Sequence, residues 1–266
     1  GTRPEEIQIA ETTVANAQKA LTDAENNLND VKNKTSADLQ DDYDSALAIM
    51  QNSVSVGKNA LLVITDIQYV NFNKSDQNSM NVAEAKAVAV LALLGGQNSG
   101  WAVNETLAGL KGGAFGIVQS AVDNPTYSNI DKALTETANA LQKVRTSLEA
   151  IPIITDLTTV QRTNIATEKT NINTEISSVA SKQQAIAVQK TTNANNITTA
   201  EASVNSAKNT LASAQDELSL KKAGSTQEQI SGQEAEVKQA EANVKNYQAQ
   251  IAKTVLRSPI NGRATK

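Results

Sequence analysis

Apolar residues recur every three or four positions along two stretches of nearly equal length, and this period leaves the chain of 266 residues few folds to choose from. In the second stretch Ile165, Ile172, Val179, Ile186, Ala200, Ala207 and Ala214 hold one heptad position, while Ile176, Ile197, Val204, Leu211 and Leu218 hold another. So narrow a stripe leaves water only when a second helix lies along it. In the first stretch Ile7, Val14, Leu21 and Leu28 run beside Ala10, Ala17, Ala24 and Val31, the small alanines allowing close approach of the partner. Around Asn33–Ser36 the pattern slips one step and resumes as Tyr43, Met50, Gly57 and Ile64 beside Leu47, Val54 and Leu61. A slip of this size alters local winding without ending the helix. Three polar residues interrupt the second stripe, Gln183, Lys190 and Asn193, and an asparagine in such a seam fixes register at some cost in stability.

The arms, about 69 residues from Pro4 to Phe72 and about 68 from Thr155 to Lys222, each reach on the order of 100 Å at ~1.5 Å per residue. Equal arms predict an all-α chain built as a long antiparallel coiled-coil hairpin, with the intervening segment forming a helical bundle at its tip. The domain reading is therefore an outgoing arm over 1–72, a tip bundle over 73–154 and a returning arm over 155–253 with a break near 223–226. The last segment, 254–266, reads as the start of a β domain, because Val255-Leu256 is β-capable, Pro259 forbids helix and Asn261-Gly262 suits a tight turn.

Within the tip, Asn71–Asp76 reads as a turn and Asn78–Leu94 as a helix, followed by a break at Gly95–Gly100. One helix is predicted from Trp101 to Val122, interrupted or closely packed at Gly109, Gly112, Gly113 and Gly116. Asp123-Asn124-Pro125 closes it. Tyr127–Ala150 then carries Ile130, Leu134, Ala138, Leu141, Val144 and Leu148 on one face, and Pro152 turns the next corner. The glycines are not a phosphate-binding loop, since no strand precedes them and no Gly-Lys-Ser/Thr follows. The apolar run Val82–Leu94 falls short of the ~20 residues that span a bilayer and carries Glu84 and Lys86, so it reads as a buried bundle helix.

Function is bounded mainly by exclusion. With no cysteine and no histidine, the chain lacks disulfides, thiol nucleophiles, imidazole acid–base chemistry and the usual zinc ligands. A net charge of −4 and 3% aromatics argue against a nucleic-acid surface. Asp38, Asp41, Asp42 and Asp44 lack the spacing of a calcium loop and read as a solvated helix face. Carboxylates lie on exposed stripes without a pocket to raise a pKa, so no catalytic residue, cofactor or metal ligand is expected.

Leu256, Arg257, Ser258, Pro259 and Gly262 resemble the exit from the helical hairpin into the second half of the lipoyl-like domain in HlyD-type membrane fusion proteins. Lys221-Lys222-Ala223-Gly224-Ser225-Thr226-Gln227-Glu228-Gln229-Ile230 resembles a second element of that family on the returning arm. It is also duplicated, because Gly1, Glu5 and Ile7 repeat as Gly224, Glu228 and Ile230, and Glu11, Val14 and Ala17 as Glu234, Val237 and Ala240. The resemblance implies a non-enzymatic adaptor and makes Gly1, Glu5, Ile7, Gly224, Glu228, Ile230, Arg257, Ser258, Pro259 and Gly262 structural motif positions. It further implies a membrane transporter of the ABC or RND type and an outer-membrane duct as partners, with assembly as a homo-oligomer. The expected location is extracytoplasmic, periplasm or cell surface, with tethering to the cytoplasmic membrane through a segment outside this chain. Hairpins of that family end in a short loop, whereas this chain spends Asn73–Ile154 on several helices, which suits a single-membrane bacterium or a different partner. The alternative reading is a surface-exposed sensory or adhesive helical bundle.

Overall fold

A computed structural model describes residues 3–254, and the described residues contain helices and no strand. Of the segment read as the opening of a β domain, 254–266, Thr254 is the last residue of a helix and 255–266 lie outside the described residues, as do Gly1, Arg257, Ser258, Pro259 and Gly262. Seven α-helices follow in order: α1 Pro4–Asn71, α2 Gln77–Leu94, α3 Asn104–Gly109, α4 Gly113–Asp123, α5 Tyr127–Glu149, α6 Thr159–Ala223 and α7 Gln227–Thr254. A single 3-10 turn, Ser99–Trp101, lies between α2 and α3.

The arms match in length, 68 residues in α1 and 65 in α6. α1 runs unbroken through the register slip at Asn33–Ser36. Among the described residues both arms contribute to each of two compact units, one formed by the chain up to 28 with the chain from 200 onward and the other by 29–199.

In the first unit Ala17 and Leu21 of α1 bury against Val204, Leu211 and Ala214 of α6, with Val14, Ala24 and Leu28 packed at the margin. This is the stripe that the heptads mark. Lys222 Nζ reaches Glu11 Oε1 at 2.8 Å and Lys221 Nζ lies 3.9 Å from Glu6 Oε2, both pairs exposed and each worth at most about 1 kcal/mol. α7 starts with a capping box: the Gln229 N–H donates to Thr226 Oγ1 and the Thr226 N–H to Gln229 Oε1.

In the second unit the arms are antiparallel, since Thr35, Asp42 and Asn52 on α1 meet Asn193, Lys182 and Glu175 on α6 in turn. Tyr43, Met50 and Ile64 are fully buried, and so are Ile172 and Val179. α5 closes the core with Ile130, Leu134, Leu141, Val144 and Leu148, while α2 adds Val82, Val90 and Leu93. Gly57 in the α1 stripe makes room for α2, because a Cβ there would stand 2.9 Å from Leu93 Cδ2.

Two of the tip helices, α2 and α5, begin where the sequence supplies a side-chain cap. Asp76 accepts from the Ser79 N–H at 2.9 Å at the start of α2, and Thr126 accepts from the Asn129 N–H at α5. These backbone contacts, the Ser79 N–H first, hold the Asp76 carboxyl below its usual range. At α6 the Thr158–Gln161 pair repeats the capping box of α7.

The segment predicted as a helix from Trp101 to Val122 is interrupted at the glycines named for it and forms two helices, α3 and α4, separated by Leu110–Gly112 and starting at Asn104 rather than Trp101. The break follows from a tertiary bond, as the Gly112 N–H donates to the Leu94 carbonyl at 2.8 Å instead of continuing a helix. Gly95 (φ 77°) and Gly113 (φ 53°) sit at this crossing, and a Cβ on either would lie 2.6 Å from backbone of the other strand of chain. The glycines thus let two helix ends touch, as their small size implies.

By length and composition alone, one 18-residue window of α1 is apolar enough to cross a bilayer, a test that a core helix also passes, and 39% of that window is buried.

Candidate functional site

Long paired helices offer narrow, repetitive surfaces, so varied surface is concentrated where the bundle interrupts them. Within the second unit a half-open cavity of about 290 Å³ lies between α1 and the segment leading into α3, lined by Thr65, Asp66, Tyr69, Val103, Asn104 and Glu105. Its walls are mixed, four polar side chains beside Tyr69 and Val103, which are 69% and 43% exposed.

The α1 side of this cavity is held by side-chain hydrogen bonds. Thr65 is buried and its hydroxyl donates to the Leu61 carbonyl at 2.7 Å, a bond that holds it against its own helix. Asn104 Nδ2 donates to Asp66 Oδ1 at 2.6 Å, tying the start of α3 to α1, while Asn104 Oδ1 is buried without a donor.

The other side is fixed from within. Lys86 of α2 is fully buried and its ammonium donates to the Ala102 carbonyl at 2.8 Å, between Trp101 and Val103. Burial pushes the Lys86 pKa down to about 8. Gly100 allows the close approach, since a Cβ there would stand 2.5 Å from the Ala83 carbonyl oxygen. The sequence marks Lys86 only as a charge within an apolar run; its anchoring role depends on a carbonyl sixteen residues away.

A second cluster sits where α5 joins the arms. The Tyr43 hydroxyl donates to Asp131 Oδ1 at 2.9 Å, Lys190 Nζ donates to Asp131 Oδ2 at 3.1 Å, and the Tyr43 ring stacks on Tyr127 at 4.2 Å. Burial chiefly raises the Tyr43 pKa, and the Tyr43 hydroxyl followed by Asp131 raises that of Lys190. Gln183 and Lys190, two of the polar breaks in the seam, line a cavity of about 240 Å³ against Asp131 and Leu134 of α5. They therefore mark where a third helix docks. Asn193, the other break, donates from Nδ2 to the Thr35 carbonyl at 2.7 Å and acts as the register pin that its seam position suggests.

In the aspartate cluster Asp38 and Asp44 pair along their own helix on its exposed side, and Asp42 reaches across to α6. Asp38 pairs with Lys34 at 2.7 Å, Asp44 accepts from Gln40 Nε2, and the partly buried Asp42 crosses to Lys182 at 3.1 Å. Among the described residues no group of acids is arranged to hold a metal.

Of the motif positions, Glu5 lies exposed in the first turn of α1 and Ile7 is half-buried one turn on. Gly224 adopts φ 72° between α6 and α7 with nothing near its α-carbon, the left-handed geometry that favours glycine after a helix. Glu228 stands in the first turn of α7, its carboxyl held below the usual range by its own N–H and the Thr226 hydroxyl. Ile230 is 41% exposed. The two copies of the repeat begin their helices at equivalent positions, Pro4 and Gln227. Their surroundings differ: Ala17 is buried by α6, whereas Val237, Val244 and Ile251 on α7 are open.

A family model, that of the YBHG alpha-helical hairpin domain, matches residues 156–253, which contain α6 and all of α7 but its last residue. No curated protein and no solved structure matches the chain.

Proposed function

We propose that this chain is the helical part of a non-enzymatic export adaptor of the HlyD type, which links a membrane transporter to the cell exterior or to an outer-membrane duct. The observation that carries the proposal is the YBHG hairpin match over 156–253, a domain of membrane fusion and adaptor-like proteins. The duplicated Gly-x-x-x-Glu-x-Ile element and the Leu256–Gly262 motif support it from the sequence. In this reading the paired arms hold position, the bundle recognises a partner, and no step of chemistry occurs on the chain. Copies assemble around the transporter outside the cytoplasm.

Affinity purification of the full-length protein from detergent-solubilised membranes tests this reading. A transporter subunit co-isolating in stoichiometric amount is the expected result. Purification from membranes with no transporter component, under conditions that preserve other transporter complexes, would count against it.

A further inference from the structure

α7 repeats the apolar stripe that opens α1 but leaves it uncovered. Ile230, Val237, Val244 and Tyr247 are 41%, 56%, 54% and 65% exposed, and every described side chain from Ser225 to Lys253 is exposed. An amphipathic helix draws most of its stability from burying such a stripe. The first copy shows what covers it: Ala17 and Leu21 bury against Val204, Leu211 and Ala214 of α6, and Glu11 pairs with Lys222 beside them. In α7 the counterparts of Ala17 and Leu21 are Ala240 and Val244, and that of Glu11 is Glu234.

We propose that α7 folds back as a hairpin onto residues 200–223 of α6 and exchanges there with residues 4–28 of α1, so that this end of α6 serves two partner helices in turn. The connection permits it. Three residues, Gly224–Thr226, join the helices, a length found in helical hairpins, and Gly224 holds the left-handed φ of 72° that turns a chain out of a helix. The register fits as well. Counted outward from the turn, Val237 comes within one residue of Ala214, Ala240 of Leu211 and Tyr247 of Val204, so the stripe meets the seam. α1 holds the seam at rest because it packs more closely, with Ala10 and Ala24 where α7 has Gln233 and Tyr247. The seam is shallow, which keeps the cost of exchange low: Leu21 and Leu211 are 8% and 9% exposed, whereas Tyr43 and Met50 in the second unit are fully buried. The exchange goes beyond the adaptor role and holds without it.

Lys222 and Glu11 mark one flank of the α1–α6 seam, and one heptad along each helix on that flank stand Gln215 and Gln18. Glu241 is the counterpart of Gln18 in α7, and all three positions are exposed. The full chain carrying Q18C/Q215C or E241C/Q215C is treated with a short bis-maleimide at low protein concentration, and intramolecular and intermolecular products are resolved. Q18C/Q215C reports α1 on the seam, and E241C/Q215C reports α7. The expected result is intramolecular product from both pairs, with E241C/Q215C the slower. Leu21→Asn, which weakens the hold of α1, should shift the ratio of the two rates towards E241C/Q215C by about tenfold or more. The V237N/V244N double variant, at positions exposed at rest, should remove the E241C/Q215C product and leave that of Q18C/Q215C unchanged. No intramolecular product from E241C/Q215C, a rate for that pair unmoved by Leu21→Asn or by V237N/V244N, or cross-links of that pair formed only between chains would each overturn the proposal.

Discussion

Glu175 is a carboxylate almost wholly removed from water, and it is tolerated because Asn52 Nδ2 at 2.8 Å and Ser53 Oγ at 2.7 Å both donate to it from α1. Ser53→Ala removes one donor from a buried anion, so unfolding free energy should fall by about 1–3 kcal/mol in urea titration, with little effect from Ser55→Ala on the exposed face. Lys86 makes a different prediction. Its folded pKa of about 8 lies below the ordinary lysine value of 10.5, so between those pH values the unfolded chain binds more protons than the folded one. Its contribution to stability is accordingly flat below about pH 8 and rises with pH from there towards 10.5. Subtracting the melting profile of Lys86→Met from that of the unaltered chain should isolate this rise; a flat difference from pH 7 to 10 would contradict the burial of the ammonium. Neither residue announces its role in the sequence, because each depends on groups that only the fold brings near.

At the scale of elements, the crossing of α2 and α4 leaves no room for a side chain on either glycine that forms it. Gly95→Ala and Gly113→Ala each place a Cβ against backbone at positive φ, and each should lower the stability of the bundle by about 1–3 kcal/mol in thermal unfolding. Gly109→Ala, with open space around it, should be tolerated. The long helices and their inward faces were legible because heptad spacing reports a buried stripe directly: Ile165, Ile172, Val179 and Ile186 all lie in the core. The corners were legible because Gly95, Pro125 and Pro152 cannot continue a helix in their settings. The gap between α3 and α4 was legible as an interruption at Gly109 and Gly112 but its cause was not, since the Gly112–Leu94 bond that makes it is long-range. The cavity was hidden: Asp66 and Glu105 are ordinary surface acids until the chain folds back and sets them on one cavity.

For the molecule as a whole, the account rests on α1 and α6 running antiparallel in the register that Asn193 and Asp42 define. Because the chain contains no cysteine, introduced thiols can be cross-linked without background. The direct measurement is reaction of D42C/K182C and D42C/K169C with a short bis-maleimide at low protein concentration, resolved as intramolecular and intermolecular products. Lys169 lies thirteen residues before Lys182 on α6, about 20 Å along the helix. Fast intramolecular cross-linking of D42C/K182C, with little from D42C/K169C, is the predicted result; preferential reaction of D42C/K169C, or cross-links formed only between chains, would contradict it.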